Sequence, residues 1–120
     1  MEDEARDEAR ISSCVRGYHI YKEKWTAVIG EVLCCARETG NVLDRYAVGV
    51  LKGGDIVGHL PKKLSKICSL FLRRGGSISC KITGKRRHSR DLPQGGLEIP
   101  CTLIVVGRKN DVAKVKKLVH

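Results

Sequence analysis

A mainly β fold is predicted for this chain: a small six-stranded β-barrel with a central helix after a hairpin and a second helix at the C-terminus. Three observations predict it. Apolar residues recur in short alternating runs rich in β-branched side chains, a pattern that suits strands around one interior. Clusters of Gly, Asn and charged residues punctuate those runs as turns. The 120 residues are enough for one domain with a core of its own and too few for two.

The first strand is expected over CVRGYHIY, residues 14–21, followed by a polar KEK loop. WTAV and EVLCCARE continue in extended form, with Val32, Cys34 and Ala36 on one face and Leu33 and Cys35 on the other, until the turn cluster ETGN. YAVGVLK and DIVGHL flank Gly53 and Gly54 and close as a β-hairpin, because glycine adopts the positive φ such a turn requires. Pro61 fits the first turn of a helix, whose Leu64, Ile67, Cys68 and Phe71 fall on one stripe; Gly75 and Gly76 end it. SISCKITGK reads as a half-exposed strand. After the loop RRHSRDLPQGG, LEIPCTLIVVG reads as a buried strand in which Pro100 calls for an edge or a bulge. Asn110 or Asp111 is placed to cap a short terminal helix bearing Val112, Val115, Leu118 and Val119 on one face.

Charge divides the chain unevenly. MEDEARDEAR carries five acids and two arginines, and the remainder holds 21 Lys and Arg against 8 Asp and Glu. Residues 1–12 therefore read as a flexible acidic tail and 13–120 as a single basic domain. Such a body attracts polyanions through counterion release, and nucleic acid is the commonest of these. The acidic start lacks the pattern of a secretory signal, and no apolar run is long enough to span a bilayer, so a nuclear or cytoplasmic, non-secreted protein is expected. There the six cysteines are expected to stay reduced, and their spacing matches no zinc knuckle; neither a metal nor another cofactor is called for. Paired carboxylates, a nucleophile motif and a phosphate-binding GxxxxGK[ST] loop are absent, so no enzymatic activity is expected.

The segment NVLDRYAVGVLKGGDIVGHLPKKL resembles the HIRAN domain, whose pattern runs N-P-x-D-x-x-A-[IV]-x-V, a short glycine turn, then V-G-[HY]-[IL]-x-[KR]-x-[IL]. Asp44, Ala47, Val50, Gly58, His59, Leu60 and Lys62 sit in register with it. VRGYHIY is similar to that family's opening V-x-G-x-x-Y strand, and CKITG and IPCTLIVVG to its closing strands, so the likeness covers about Cys14 to Val119. The resemblance implies a modified barrel of the OB-like/SH3-like class that captures the 3′ end of single-stranded DNA. Asp44 would accept a hydrogen bond from the terminal 3′-hydroxyl, and His59 and Lys62 would hold phosphates. It further implies a monomeric module serving DNA repair or replication-fork processing, with a remodelling ATPase or another DNA-processing protein as partner in trans.

Two departures bear on that reading. Val42 stands at the family's Pro, and Leu43 at its aromatic before the Asp; the family's basic-aromatic pair on the first strand falls on His19 and Ile20, with Tyr18 and Tyr21 as neighbours. On a strand Tyr21 shares a face with His19. A lost stacking platform costs on the order of 1 to 3 kcal/mol per base.

The chemistry stands without the family. A carboxylate on a turn accepts from a hydroxyl and repels a phosphate, and lysines beside free N–H groups at a helix start make a phosphate-binding concavity. The candidate nucleic-acid ligands are thus His19, Tyr21, Asn41, Asp44, His59, Lys62, Lys63 and Lys66, with Lys85, Arg86 and Arg87 extending the positive track. Each has a structural alternative. Asp44 closes its own turn as readily as it binds a hydroxyl, His59 is equally a satisfied strand-end histidine, and Lys62, Lys63 and Lys66 fit the wet side of an amphipathic helix. GKRRHSR fits a nuclear-import signal, a phosphate contact or a solvated hairpin tip. For the whole chain the alternative is a protein-interaction barrel whose basic face docks an acidic partner or the chain's own acidic start.

Overall fold

The computed structural model describes residues 5–21, 23–89 and 96–119, with His19 and Ile20 described by backbone alone. The elements run β1 (Arg6–Arg16), α1 (Tyr18–Tyr21), β2 (Val32–Arg37), β3 (Val48–Lys52), β4 (Asp55–His59), α2 (Lys62–Arg73), β5 (Ser77–Ile82), β6 (Arg87–His88), β7 (Leu97–Arg108) and α3 (Lys109–Leu118). Seven antiparallel strands lie in the order β1-β4-β3-β2-β5-β7-β6, and a further β1–β7 pairing closes six of them into a ring. The two-residue β6 is the seventh strand, attached outside the ring.

The inward faces follow the predicted alternation. Leu33 and Cys35 of β2 are buried while Val32 and Cys34 are exposed, and every second residue of β7 from Ile99 to Val105 is buried. Val15, Val48, Val50, Val57, Cys80, Ile82 and Leu103 complete the interior. The hairpin turns at Gly53 (φ 59°) and Gly54 (φ 88°), which a side chain would strain. Across α2, Leu64, Cys68 and Phe71 are buried. Burial raises the Cys68 thiol to about 11 and raises Cys35 as well, so these thiols stay protonated and pack as small hydrophobes.

Several elements differ from expectation, each for a local reason. Residues 6–12, expected as tail, belong to β1, which pairs with β7 from Arg6↔Arg108 to Arg16↔Glu98. Their charges alternate with Ala9 and Ile11, which turn inward; composition registers the charges and misses the partner strand that the long β7 offers. The expected strand over residues 14–21 ends at Arg16, because Gly17 (φ 78°) redirects the chain into the helical turn α1. The strand rule that put Tyr21 beside His19 therefore does not apply.

WTAV lies outside the strands, where Trp25 is buried and its Nε1 donates to Glu31 Oε1 at 3.0 Å. Pro61 is the N-cap of α2 and not a first-turn residue. Asn110 and Asp111 lie inside α3, whose N-cap is Arg108. Pro100 sits within the multiply paired β7, just past the β5 ladder, which ends at Ile82↔Cys101; its carbonyl accepts from Thr83 N at 3.0 Å. Its missing N–H thus faces a side where regular pairing has stopped.

Candidate nucleic-acid interface

The loop between β2 and β3 is folded by its own side chains. Asn41 Oδ1 accepts from the backbone N–H of Leu43 at 2.9 Å and of Asp44 at 3.0 Å, and Asp44 Oδ1 accepts from Tyr46 N at 2.9 Å. These successive Asx turns hold the loop without regular structure. Its ends are tied by Glu38 N donating to Ala47 O at 2.9 Å. Val42 and Leu43 project from the tip, 96% and 94% exposed.

Glu38 couples this loop to the barrel. One carboxylate oxygen accepts from Asn41 Nδ2 at 3.2 Å, and the other lies 2.5 Å from His59 Nε2. His59, the last residue of β4, pairs with both Gly49 and Arg16, and the Tyr21 ring is tilted against it with centroids 6.1 Å apart. Immediately beyond it, Pro61 opens α2 with no side-chain cap and no acidic residue in the first turn. Lys62 and Lys63 therefore sit at the positive end of the helix dipole beside unsatisfied backbone N–H groups.

These pieces surround an open groove of about 770 Å³. Asn41, Asp44, His59, Lys62 and Lys63 line it together with Leu43 and Arg16, over Ala47, Val48, Leu60 and Pro61. Asp44 thus has a structural duty through one oxygen; among the described residues its other oxygen meets no partner. Arg16 is held by Glu98, with Nη1 3.3 Å from Oε1, and donates to Ser89 Oγ at 2.6 Å. Burial pushes the Glu98 carboxyl up, but hydrogen bonds from Arg87 and Ser89 and the charge of Arg16 outweigh it and hold the group below the usual glutamate value.

The remaining candidates fall elsewhere. Tyr21 does not line the groove but adjoins it beside His59 and Gly17. The side chain of His19 lies outside the described residues. Lys66, one turn along α2, reaches over the Tyr46 ring, Nζ 5.7 Å from its centroid, and lines a different groove. Arg87 is engaged by Glu98 at 2.9 Å. Lys85 and Arg86 are exposed on the approach to β6 and line neither groove.

Sequence reasoning misses two residues here: Arg16, which lines the groove, and Glu38, which does not line it but holds Asn41 and His59, which do. The spacing Glu38, Asn41, Asp44 carries a turn-bonding signal that was legible; the Glu38–His59 contact spans 21 residues and was not.

No family model and no curated protein matches this chain in sequence. Solved structures do match in shape. The crystal structure of the HIRAN domain of human HLTF superposes with a TM-score of 0.70 at 18% identity, covering 91% of this chain and 84% of that one. The NMR structure of the HLTF HIRAN domain gives 0.61 at 16% identity, covering 92% and 88%. A protein from Lactobacillus plantarum gives 0.60 at 13% identity over 87% of this chain and all of its own. On that likeness over about nine tenths of its length, this chain has the HIRAN-domain fold.

Proposed function

We propose that the domain is a non-catalytic module that binds single-stranded DNA, preferably at a 3′-hydroxyl end. The observation that carries this reading is the groove lined by Lys62 and Lys63, on a helix start without a side-chain cap, together with Asp44, one of whose carboxylate oxygens meets no partner among the described residues. Cations at the positive end of a helix dipole repel it, and a bound phosphate relieves both. A carboxylate at the end of the same track favours a terminal hydroxyl and repels a terminal phosphate. Lys85 and Arg86, exposed outside the groove, add to the positive charge that draws a polyanion to the domain. The exposed Leu43 offers apolar contact where an aromatic would stack, so base contacts are weak and phosphates dominate. The module serves repair or replication-fork processing, with a remodelling ATPase or other DNA-processing protein in trans.

The test compares labelled oligonucleotides ending in 3′-hydroxyl or 3′-phosphate by anisotropy. Tighter binding of the hydroxyl end, levelled by Asp44→Asn, is the expected result. Equal affinity for both ends in the native protein would eliminate end recognition, and an affinity insensitive to salt would eliminate phosphate binding as well.

A further inference from the structure

A second groove, of about 550 Å³, lies between α2 and α3 and shares no lining residue with the first. Its lining is apolar at the base and partly wet at the lip. Leu70 and Leu118 are 40% and 55% exposed, above the buried Phe71 and Val115. The floor is also fixed, because Phe71 is wedged against bare backbone: a Cβ on Gly76 would lie 2.3 Å from its ring and one on Gly107 2.7 Å. Around it the charge is of one sign. Lys66, Arg73 and Lys114 have no acidic partner among the described residues, and the single acid, Asp111, is already taken by Arg74 Nε at 2.9 Å.

We propose that this groove docks an acidic amphipathic helix of a partner protein. Two packed helices leave a channel whose ridges accept a third, and Leu70 and Leu118 are apolar anchors awaiting a facing stripe. The uncompensated cations at the rim select acidic flanks and disfavour basic ones. Phe71, the aromatic side chain in the lining, is 3% exposed, so the groove offers little of the stacking platform a nucleic acid uses. A second copy of this chain is opposed by the same charges, since each copy would bring cations against cations. The proposal is independent of the DNA reading, and the two grooves are separable by mutation.

The probe is a labelled synthetic helix with Leu at every third or fourth position and Glu between, set against a scrambled peptide of identical composition. The expected result is saturable binding of the amphipathic peptide, with amide shifts in isotope-labelled protein confined to α2 from Lys66 onward and to α3. The scrambled peptide should bind on the order of tenfold more weakly, as should the amphipathic peptide to the surface variants Leu70→Asp/Leu118→Asp and Arg73→Glu/Lys114→Glu. Thermal midpoint and oligonucleotide affinity, both retained, report that these variants fold. Equal binding of the scrambled peptide, shifts centred on residues 41–46, or no saturable binding would overturn the proposal. So would a concentration-dependent dimer of the protein alone that these variants abolish, since the groove would then belong to a second copy.

Discussion

At its N-terminal end α2 meets the loop between β2 and β3, and at its C-terminal end it meets α3; one helix with one buried stripe therefore borders two separate grooves, each with cations beside apolar residues. Lys62 and Lys63 oppose the helix dipole, each at a cost of about 0.3–1 kcal/mol, so the electrostatics of that end are incomplete without an anion. Arg73, in the last turn, agrees with the dipole. What is incomplete there is apolar, in the exposed leucines. The residues of a helix do not determine what its surface is for; the neighbour beside each turn does.

The largest effect expected is on the first groove alone. Lys62→Glu/Lys63→Glu should lower affinity for a short single strand on the order of a hundredfold and flatten the salt dependence by a slope of about 1.4. Binding of the amphipathic peptide should persist. Loss of both activities together in a folded variant would dissolve the distinction between the two ends.

Glu98→Gln asks whether the pairing that holds Arg16 belongs to the same machinery. The Glu98 carboxyl is held below its ordinary value, so its contribution to stability is fully present above the usual glutamate value of 4.5 and is lost as pH falls through the depressed folded value. The variant should unfold more easily by about 2 kcal/mol at neutral pH, with a shallower decline in acid. Denaturant titrations across pH measure both. An unchanged acid limb would show that the Glu98 carboxylate contributes little to the stability of the folded state.

Asp44→Asn sharpens the comparison within the first groove. The amide keeps an oxygen for Tyr46 N and removes the charge, so thermal stability should hold while preference for a 3′-hydroxyl over a 3′-phosphate falls by about tenfold. A preference that survives would leave Asp44 with its turn-forming duty only. The smallest effect belongs to the other end: Leu70→Ser, at an exposed position, should change stability by no more than about 0.5 kcal/mol. Oligonucleotide binding should be unaltered and peptide binding reduced severalfold.

Much of this was legible before any coordinates. The Gly53–Gly54 hairpin, the stripe Leu64, Cys68, Phe71 and the alternation in β2 and β7 depend on local periodicity and turn chemistry, which sequence records directly. The same segment placed Asp44, His59, Lys62 and Lys63 within reach of each other, since a hairpin and the helix that follows it leave little freedom. Arg16 and Glu38 were not legible as ligands or supports, because their partners Glu98 and His59 are distant in sequence. The charged run at residues 6–12 has the composition of a tail for the same reason, since strand pairing is a property of two segments.

What the sequence determined by itself is the repertoire of local pieces: which runs alternate, where the chain turns, where a helix begins beside two lysines. Tertiary structure decided which pieces face one another. It put β1 along the whole of β7, bent the chain at Gly17, tied His59 to the loop through Glu38 and set α3 beside α2. Periodicity acts over a few residues and is written into each segment, whereas a groove exists only between segments and depends on the register in which the barrel closes.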